Sequence, residues 1–598
     1  MKLNIPEAVR ANNNKLFKGT AYDIRAYVGE PGAFFGSDAV MTPDAMQTAG
    51  ALTALIPFKR EDGSTVSLKA GDTVVVGYDN GPTSEALAKA FCAGLNSQGV
   101  NAYNIGISSS GQVYQNQEQL NAQGHCQITR SHVEVTTNGA KFGIGVQGIH
   151  TYLLAQMNDA VKNGIDARQC EAGAIEDKEK DARKVYFDKM KKVYGDYFAA
   201  RDNSKTAINV FGGTGIQYVE LFKEIFGESV TVLGAELNVN DGKLLADPTR
   251  KEMLVRVPGL QETLDSGKRV HSFDLDADRG SLTEGSQALT LTGTGHYLGD
   301  DLAFILAEHK INYAAPALAD KLKSLGVTQS NIDEIINIAK TVYVDARYTS
   351  SVKSYVDTVL KGNTSFHRKG HSLWKETVTS NMKKMAELAG FKTIREFVAA
   401  TGYRDIQIEA SLHMFSTDTE DGIPRDDAVE NIFILEQLLD TLKITNLGAY
   451  FANLPKRFIT KEIRTTSVSN EAKDVITASI LEHIRRMFAG KDGCSVVEFD
   501  GQIRVDWPTG FIMYGMSNTS PKLTFMAEGS TPEERNNALA FLLALHNQEK
   551  SSAGDTLPMD TSENAFFVED ASYNMANPDD IGFDDERVKA FMQALKIG

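Results

Sequence analysis

Cysteine is scarce in this chain, with four in 598 residues (Cys92, Cys126, Cys170 and Cys494) and no CxxC pair. That excludes a disulfide framework and a thiolate zinc site, and fits reduced thiols in a cytosol. Cys126, five residues before Ser131, is expected to pack on a strand, not to react. No apolar core follows Met1-Lys2-Leu3-Asn4-Ile5-Pro6, and no run of 18 apolar residues occurs, so no membrane partner is expected and the location is read as cytoplasmic. Basic residues are outnumbered, 62 Lys plus Arg against 78 Asp plus Glu, for a formal charge of −16. This argues against nucleic acid or an anionic membrane as the main partner, so any phosphate site must be a local basic pocket. The GxGxxG spacing is missing from Gly212-Gly213-Thr214-Gly215, which reads as a tight strand-to-helix turn and not a dinucleotide site.

What is present is an alternation of strand and helix patterns, the mark of α/β architecture. Val74 to Asp79 reads as a buried strand, with a helix from about Ser84 and a further strand at Ala102 to Ile107. The unit recurs at Ala207 to Phe211, a helix through Tyr218 to Ile225, and Val230 to Leu233; strands are also read around Thr341 to Val344 and Ile406 to Ile408. Residues 429–442 are expected to form an amphipathic helix. Beyond about residue 456, Val496 to Phe499 and Gln502 to Val505 flank Asp500-Gly501, a two-residue hairpin signal, and a helix follows from Pro532 to His546. At 598 residues the chain is expected to hold about four domains. We divide it at 1–205 (with 146–205 as an insertion presenting a solvated helical face), 206–311, 312–447 and a smaller α+β domain at 448–598, whose acidic tail is expected to pack only in part.

The chemistry gathers in short loops. Gln127-Ile128-Thr129-Arg130-Ser131-His132 ends an apolar run with a hydroxyl beside a histidine, and Asn138-Gly139-Ala140-Lys141-Phe142 adds a turn and a lysine. Taken alone, Thr129 and Ser131 more often just cap a turn. Asp274-Leu275-Asp276-Ala277-Asp278-Arg279 alternates three carboxylates before an arginine. Such carboxylates can converge on one hard cation, for which octahedral Mg²⁺ is the natural choice, while Arg279 can hold a phosphate. The plain alternative is a solvated acidic turn; a calcium loop lacks its glycine and closing glutamate. Ser517-Asn518-Thr519-Ser520-Pro521-Lys522 follows a strand and suits a dianionic phosphate, though a polar turn is the commoner use of such residues. Lys369 to Lys375 and Glu409-Ala410-Ser411-Leu412-His413 are weaker polar clusters. Ser131, Asp274 and Glu409 each follow a strand-like run, at the end where open α/β sheets bind ligands.

These loops, in this order, resemble the α-D-phosphohexomutase family. Thr129 to His132 is similar to its T-x-S-H phosphoserine loop, Asn138 to Phe142 to N-G-x-K-F, and Asp274 to Arg279 to the D-x-D-x-D-R magnesium loop. Glu409 to His413 resembles the E-x-S-x-H sugar loop and Ser517 to Pro521 the S-N-T-x-P phosphate loop. Ala21 to Arg25 and Gly370 to Lys375 are similar to A-Y-D-I-R and G-H-S-x-x-K. The resemblance spans roughly residues 15 to 545 and implies three similar α/β (mixed-sheet) domains plus a smaller C-terminal α+β domain around a central cleft. It further implies reversible exchange of hexose 1-phosphate and 6-phosphate, with mannose and glucose as substrates and mannose slightly favoured. A phosphoserine and a hexose 1,6-bisphosphate, the latter also an activator, are the implied intermediates. Ser131, His132, Lys141, Lys375, Arg25 and Arg279 are then catalytic candidates. Glu409, Ser411, His413, His371, Ser517, Asn518, Thr519 and Lys522 are substrate-binding candidates, and Asp274, Asp276, Asp278 and Ser131 hold one Mg²⁺. A small sugar phosphate is the implied partner of a monomer or homodimer.

The chain departs from the pattern in four places. Val133-Glu134 stand where the serine loop continues N-P, and Arg130 replaces a small residue, read either as a phosphate ligand or as an obstruction. Ile408 replaces a glycine, and Gly515 stands where an arginine is expected. A phosphoglucosamine or phosphopentose mutase, and a non-catalytic sugar-phosphate binder, stay open as alternatives. So does a phosphatase or kinase using Asp274 and Asp276.

Overall fold

The computed structural model describes all residues except 20–22, 61–62, 146, 149–150, 291–292, 368–369, 456, 500, 517–520, 560–570, 574, 576 and 598. The chain forms two compact units: Met1–Lys340 with Gly370–Ala452, and Thr341–Lys369 with Asn453–Gly598. Residues 341–369, which the sequence groups with 312–447, thus pack in the second unit. Among the described residues no helix is long and apolar enough to cross a membrane.

The first unit holds two mixed sheets and a small antiparallel one. The first sheet contains β1 (Ile24–Tyr27), β2 (Thr73–Tyr78), β3 (Asn101–Ile107), β4 (Gly124–Ile128), β5 (Thr137–Ile144), β6 (Gln147–Gly148) and β7 (Ile175–Asp177). Their order is β1-β5-β4-β2-β3-β7, with β6 paired to β5. The inner strands β4, β2 and β3 run parallel, and β5 turns antiparallel on β4. The β-branched run of β2 is buried on both faces, as an inner parallel strand requires. The second sheet contains β8 (Thr206–Asn209), β9 (Thr231–Leu233), β10 (Arg269–Phe273), β11 (Gly280–Glu284) and β12 (His296–Tyr297), in the order β9-β8-β10-β11-β12. Later in the unit, β15 (Ile406–Ile408), β16 (Met414–Thr417) and β17 (Pro424–Asp426) form an antiparallel meander.

Helix α1 (Ser110–Gln119) follows β3, and its N-cap Ser109 accepts a hydrogen bond from Gln112 N. Helix α2 (Glu179–Ala199) corrects the expectation of a solvated helical face. Ala182, Tyr186, Met190, Tyr194 and Phe198 are buried along one side, and even Lys189 is buried, in an ion pair with Asp418. The Tyr186 and Tyr194 hydroxyls donate to Asp427 (2.9 Å) and Glu430 (2.6 Å). Both acceptors start α3 (Ala428–Thr441), the amphipathic helix expected at 429–442, with Asp427 as its N-cap.

In the second unit, β13 (Thr341–Asp345) pairs in parallel with β14 (Asn363–His367). A six-stranded antiparallel sheet contains β18 (Phe458–Ile459), β19 (Ile463–Thr466), β20 (Ser495–Phe499), β21 (Gln502–Trp507), β22 (Gly510–Met516) and β23 (Lys522–Gly529). The expected 496–505 hairpin is β20–β21. Fully buried Arg504 donates at 2.6 Å to the Ala346 and Tyr348 carbonyls, and Glu528 accepts from Ser350, so the loop after β13 is tied to this sheet. The Pro532 helix runs on to Ser552. The tail packs more fully than expected: Met559, Tyr573, Met575, Ile581, Val588, Phe591 and Ile597 join the core of this unit.

Candidate functional site

The site lies in the first unit, where three loops at strand ends are tied together. The serine loop leaves β4. Thr129 Oγ1 accepts from Ser131 N (2.7 Å), and Asp79, at the end of β2, accepts from Arg130 N (2.9 Å). The turn forces Ser131 to φ +54°, a left-handed conformation that costs a non-glycine residue about 1 kcal/mol or more. Asn138 braces the neighbouring helix start through Thr83 Oγ1 (2.8 Å) and Ser84 Oγ (2.9 Å). Gly139 has a strict reason to be glycine: a Cβ there would lie 1.9 Å from the Ile24 carbonyl. Its bareness lets β1 pair closely with β5 and opposes Arg25 to position 139. Arg25 then donates to the Arg130 carbonyl at 2.6 Å and pairs with Asp23 at 2.7 Å.

The metal loop follows β10. Thr214, from the Gly212 turn, donates through both N (2.8 Å) and Oγ1 (2.9 Å) to the Leu275 carbonyl. A Cβ on Gly213 would meet the same carbonyl at 2.8 Å, so that turn serves to hold the acidic loop. Asp274, Asp276 and Asp278 are completely buried, and each offers an oxygen within 4.8 Å of the others. Ser110, at the start of α1, donates to Asp276 Oδ2 at 2.6 Å. Lys141 Nζ lies 2.7 Å from the same oxygen and also pairs with Asp278. Ser131 Oγ lies 3.2 Å from Asp274 Oδ2 and 3.1 Å from His132 Nδ1. Arg279 Nη1 contacts His132 at 2.5 Å, and Arg279 Nε donates to His413 Nε2 at 3.0 Å.

The sugar loop joins β15 to β16. Leu412 adopts φ +72°, and Glu409 N donates to the His413 carbonyl (2.9 Å). Gly280 N donates to the Leu412 carbonyl (3.3 Å), which stitches this loop to the metal loop. Glu409 is buried and accepts from Gly370 N at 3.1 Å, while Ser411 is half-buried. Helix α4 (His371–Leu388) carries Lys375, whose ammonium pairs with Asp426 on β17 and lies 3.8 Å from the centre of the Tyr114 ring.

Burial and charge set the protonation. Burial, then Asp278 and Asp276, push the Asp274 carboxyl well above the usual range. Burial alone would lower Lys141, but Asp276 and Asp278 outweigh it and hold the ammonium firmly charged. Burial lowers Lys375, with Asp426 offsetting only part of the effect. Burial and the Arg279 guanidinium push His132 well down, so it is a neutral ring.

The residues fit a hard cation. One oxygen each of Asp276 and Asp278 is buried without a hydrogen-bond partner, and Asp274 holds its charge only at a cost. Three converging carboxylate oxygens are the donor set Mg²⁺ takes.

Ser131, His132, Lys141, Arg25, Arg279, the three aspartates, His413, Glu409 and Lys375 are therefore gathered in one unit. Lys522 opens β23 in the second unit. Ser517, Asn518, Thr519 and the His371 side chain lie outside the described residues. Arg130 is buried and donates to the Val133 and Val239 carbonyls at 2.7 Å each. Sequence reasoning missed Ser110, Asp79 and Asp426. The first two sit at predicted element ends, where a hydroxyl or carboxylate signals a cap. Asp426 carried no local signal.

Residues 21–153 match the model of phosphoglucomutase/phosphomannomutase, alpha/beta/alpha domain I. A phosphoglucosamine mutase of Leuconostoc mesenteroides is 23% identical over 403 residues, 64% of this chain and 81% of its own length. A phosphomannomutase/phosphoglucomutase of Pseudomonas aeruginosa is 24% identical over 520 residues, 86% of this chain and 92% of its own. Residues 21–153 thus match the first domain of phosphoglucomutases and phosphomannomutases, and the chain as a whole is similar to phosphohexomutases. Its fold is shared with a Burkholderia thailandensis phosphoglucomutase/phosphomannomutase family protein, at a TM-score of 0.61 and 19% identity over 90% of this chain and 98% of the other. The matched first domain ends just beyond the serine loop. The Asp274–Arg279 and Glu409–His413 loops lie beyond that match and rest on the geometry above.

Proposed function

We propose that the protein interconverts hexose 1-phosphates and hexose 6-phosphates by reversible phosphoryl transfer through Ser131. The observation that carries this reading is the seating of Ser131 Oγ 3.2 Å from Asp274, against three buried carboxylates, with Lys141 and Arg279 beside them. A bare hydroxyl gains nothing from such surroundings, whereas a phosphorylated one forms a dianion that a cation at the carboxylates would neutralise. Bound by Asp274, Asp276 and Asp278 beside Ser131, Mg²⁺ would supply that neutralising charge.

A sugar hydroxyl attacks the phosphorus of phospho-Ser131 in line, the P–Oγ bond breaks, and the proton lost by the sugar hydroxyl ends on Ser131 Oγ. The resulting bisphosphate reorients and returns its other phosphoryl group to the serine. Lys141, held charged by its aspartates, acts as a fixed counter-charge with Arg25 and Arg279. Lys375, lowered by burial, is the better carrier of the proton. Glu409, Ser411 and His371 serve the sugar hydroxyls, and Ser517, Asn518, Thr519 and Lys522 serve the distal phosphate. Hexose 1,6-bisphosphate activates by recharging Ser131. The four-domain division, a cytoplasmic location and a monomer or homodimer belong to the same reading. Mannose and glucose phosphates are the preferred substrates. Glucosamine phosphate is the second reading, favoured by the phosphoglucosamine mutases among the relatives.

Phosphorus NMR of purified protein with Mg²⁺ and a trace of glucose 1,6-bisphosphate tests this, with mannose, glucose and glucosamine 1-phosphates in separate tubes. Conversion to the 6-phosphate establishes the mutase and ranks the sugars. Turnover of glucosamine phosphate alone selects the second reading. Silence in every tube with Ser131 unphosphorylated overturns both.

A further inference from the structure

The guanidinium of Arg130 is buried beside the serine turn and takes carbonyl oxygens as its partners. Nη1 donates to the Val133 carbonyl at 2.7 Å, so the turn is closed by one of its own side chains. Nη2 donates to the Val239 carbonyl at 2.7 Å and to Asn240 Oδ1 at 3.4 Å, both in the segment after β9. From there the bonds run on. Asn240 Nδ2 donates to the Asn80 carbonyl (2.9 Å), and Asn80 Nδ2 donates to the Gly212 carbonyl (2.7 Å). Gly212 opens the turn whose Thr214 holds the Leu275 carbonyl of the acidic loop. Val239 and Leu275 also share one apolar core. One side chain thus connects the turn that carries Ser131 with the loop that carries Asp274. The guanidinium is charged and its Nε is buried without a partner, and both features are unfavourable. A small or apolar residue would fill the place without that penalty.

We propose that Arg130 is a positioning residue for the reaction proposed above, on which this inference rests. Its fork fastens the serine turn to loops of the second sheet and fixes how far Ser131 Oγ stands from the three aspartates. Ser131 is held in a left-handed conformation that its own side chain disfavours, so the turn needs restraint from outside. Thr129 and Asp79 restrain it from the first sheet, and Arg130 adds a restraint from the second. Two nitrogens of one planar group serve carbonyls in two different loops, which the single ammonium of a lysine does less well. In-line transfer tolerates little error, since a displacement of about 1 Å can cost about 10²-fold in rate. The task of Arg130 is on the place of the hydroxyl and not on a phosphate oxygen.

The test uses full-length protein with Mg²⁺ and a trace of glucose 1,6-bisphosphate. In turnover assays R130A is expected to lower kcat by about 10²-fold with little change in KM, the scale of a misplaced reacting group. R130K, which keeps the charge without the fork, is expected to fall only about 10-fold. Hydrogen exchange read by mass spectrometry adds a readout that needs no activity. In R130A, peptides from 127–134 and 236–241 are expected to exchange faster together, by about 10-fold, while the β20–β23 sheet keeps its wild-type rates. A wild-type kcat in R130A overturns the proposal, as does a raised KM at unchanged kcat, which would make the arginine a phosphate ligand. Unchanged exchange in the two segments overturns it too. Should R130A fail to fold, R130K carries the test, and wild-type kcat with wild-type exchange there overturns the proposal. A wild type without mutase activity, whose R130A variant still shows the paired rise in exchange, would sink the functional reading and leave the fastening standing.

Discussion

Asp426 and Glu436 are buried as completely as Asp274, Asp276 and Asp278, yet the two groups are balanced differently. Glu436 accepts from His271 at 2.8 Å and from Arg201 at 2.5 Å, and Asp426 has Lys375. The three loop aspartates share one close ammonium, Lys141, and a guanidinium, Arg279, 3.9 Å from Asp274, so three carboxylates face two cations. The protonation follows: the Glu436 carboxyl is pulled down to about 2 because His271, Arg269 and Arg201 outweigh burial, while Asp274 is pushed well up. Burying a carboxylate is costly unless a cation accompanies it. Where the chain supplies that cation the carboxylate is architecture; where it falls short, the carboxylates could hold one from solution.

Four measurements bear on this contrast. The largest effect belongs to the hydroxyl that connects the shortfall to chemistry: Ser131→Ala is expected to lower turnover by about 10⁴-fold or more, with Mg²⁺ binding by calorimetry retained. Unchanged turnover would end the phosphoserine mechanism. Asp276→Asn removes one charge from the unbalanced group, so kcat is expected to fall about 10²-fold and the Mg²⁺ half-saturation to rise, read from an activity titration. On the balanced side, Lys375→Met strands Asp426 and is expected to cost about 3 kcal/mol in a urea melt, beyond its effect on activity. The smallest effect is acid sensitivity. Since the folded Glu436 value lies near 2 against an ordinary 4.5, its contribution is complete above about pH 4.5 and is lost as pH falls toward 2. Glu436→Gln is expected to flatten that limb of the stability curve.

The convergence of the serine loop and the three aspartates was legible because each packs its polar groups into a few consecutive residues at a strand end. The burial of helix α2 was not. Its exposed face is dense with Lys, Glu and Asp, which hides the Tyr186, Met190, Tyr194 and Phe198 stripe that seats it. Asp426 was illegible for another reason: Lys375 comes from α4 and His413 from the preceding hairpin, and no spacing rule joins them. Arg130 left two readings open in the sequence, ligand or obstruction. The structure takes neither, because the side chain is committed to the Val133 and Val239 carbonyls.

The left-handed backbone at Ser131 puts the proposed phosphoryl carrier at a position that few side chains adopt without strain. Glycine, the residue that position tolerates best, is the one that cannot carry a phosphate. A Ser131→Gly protein should therefore melt at a higher temperature than the active one, a catalyst silenced and relaxed by the same change. The difference in melting temperature between the glycine and alanine variants would report how much stability natural selection gives up to keep a hydroxyl at this turn.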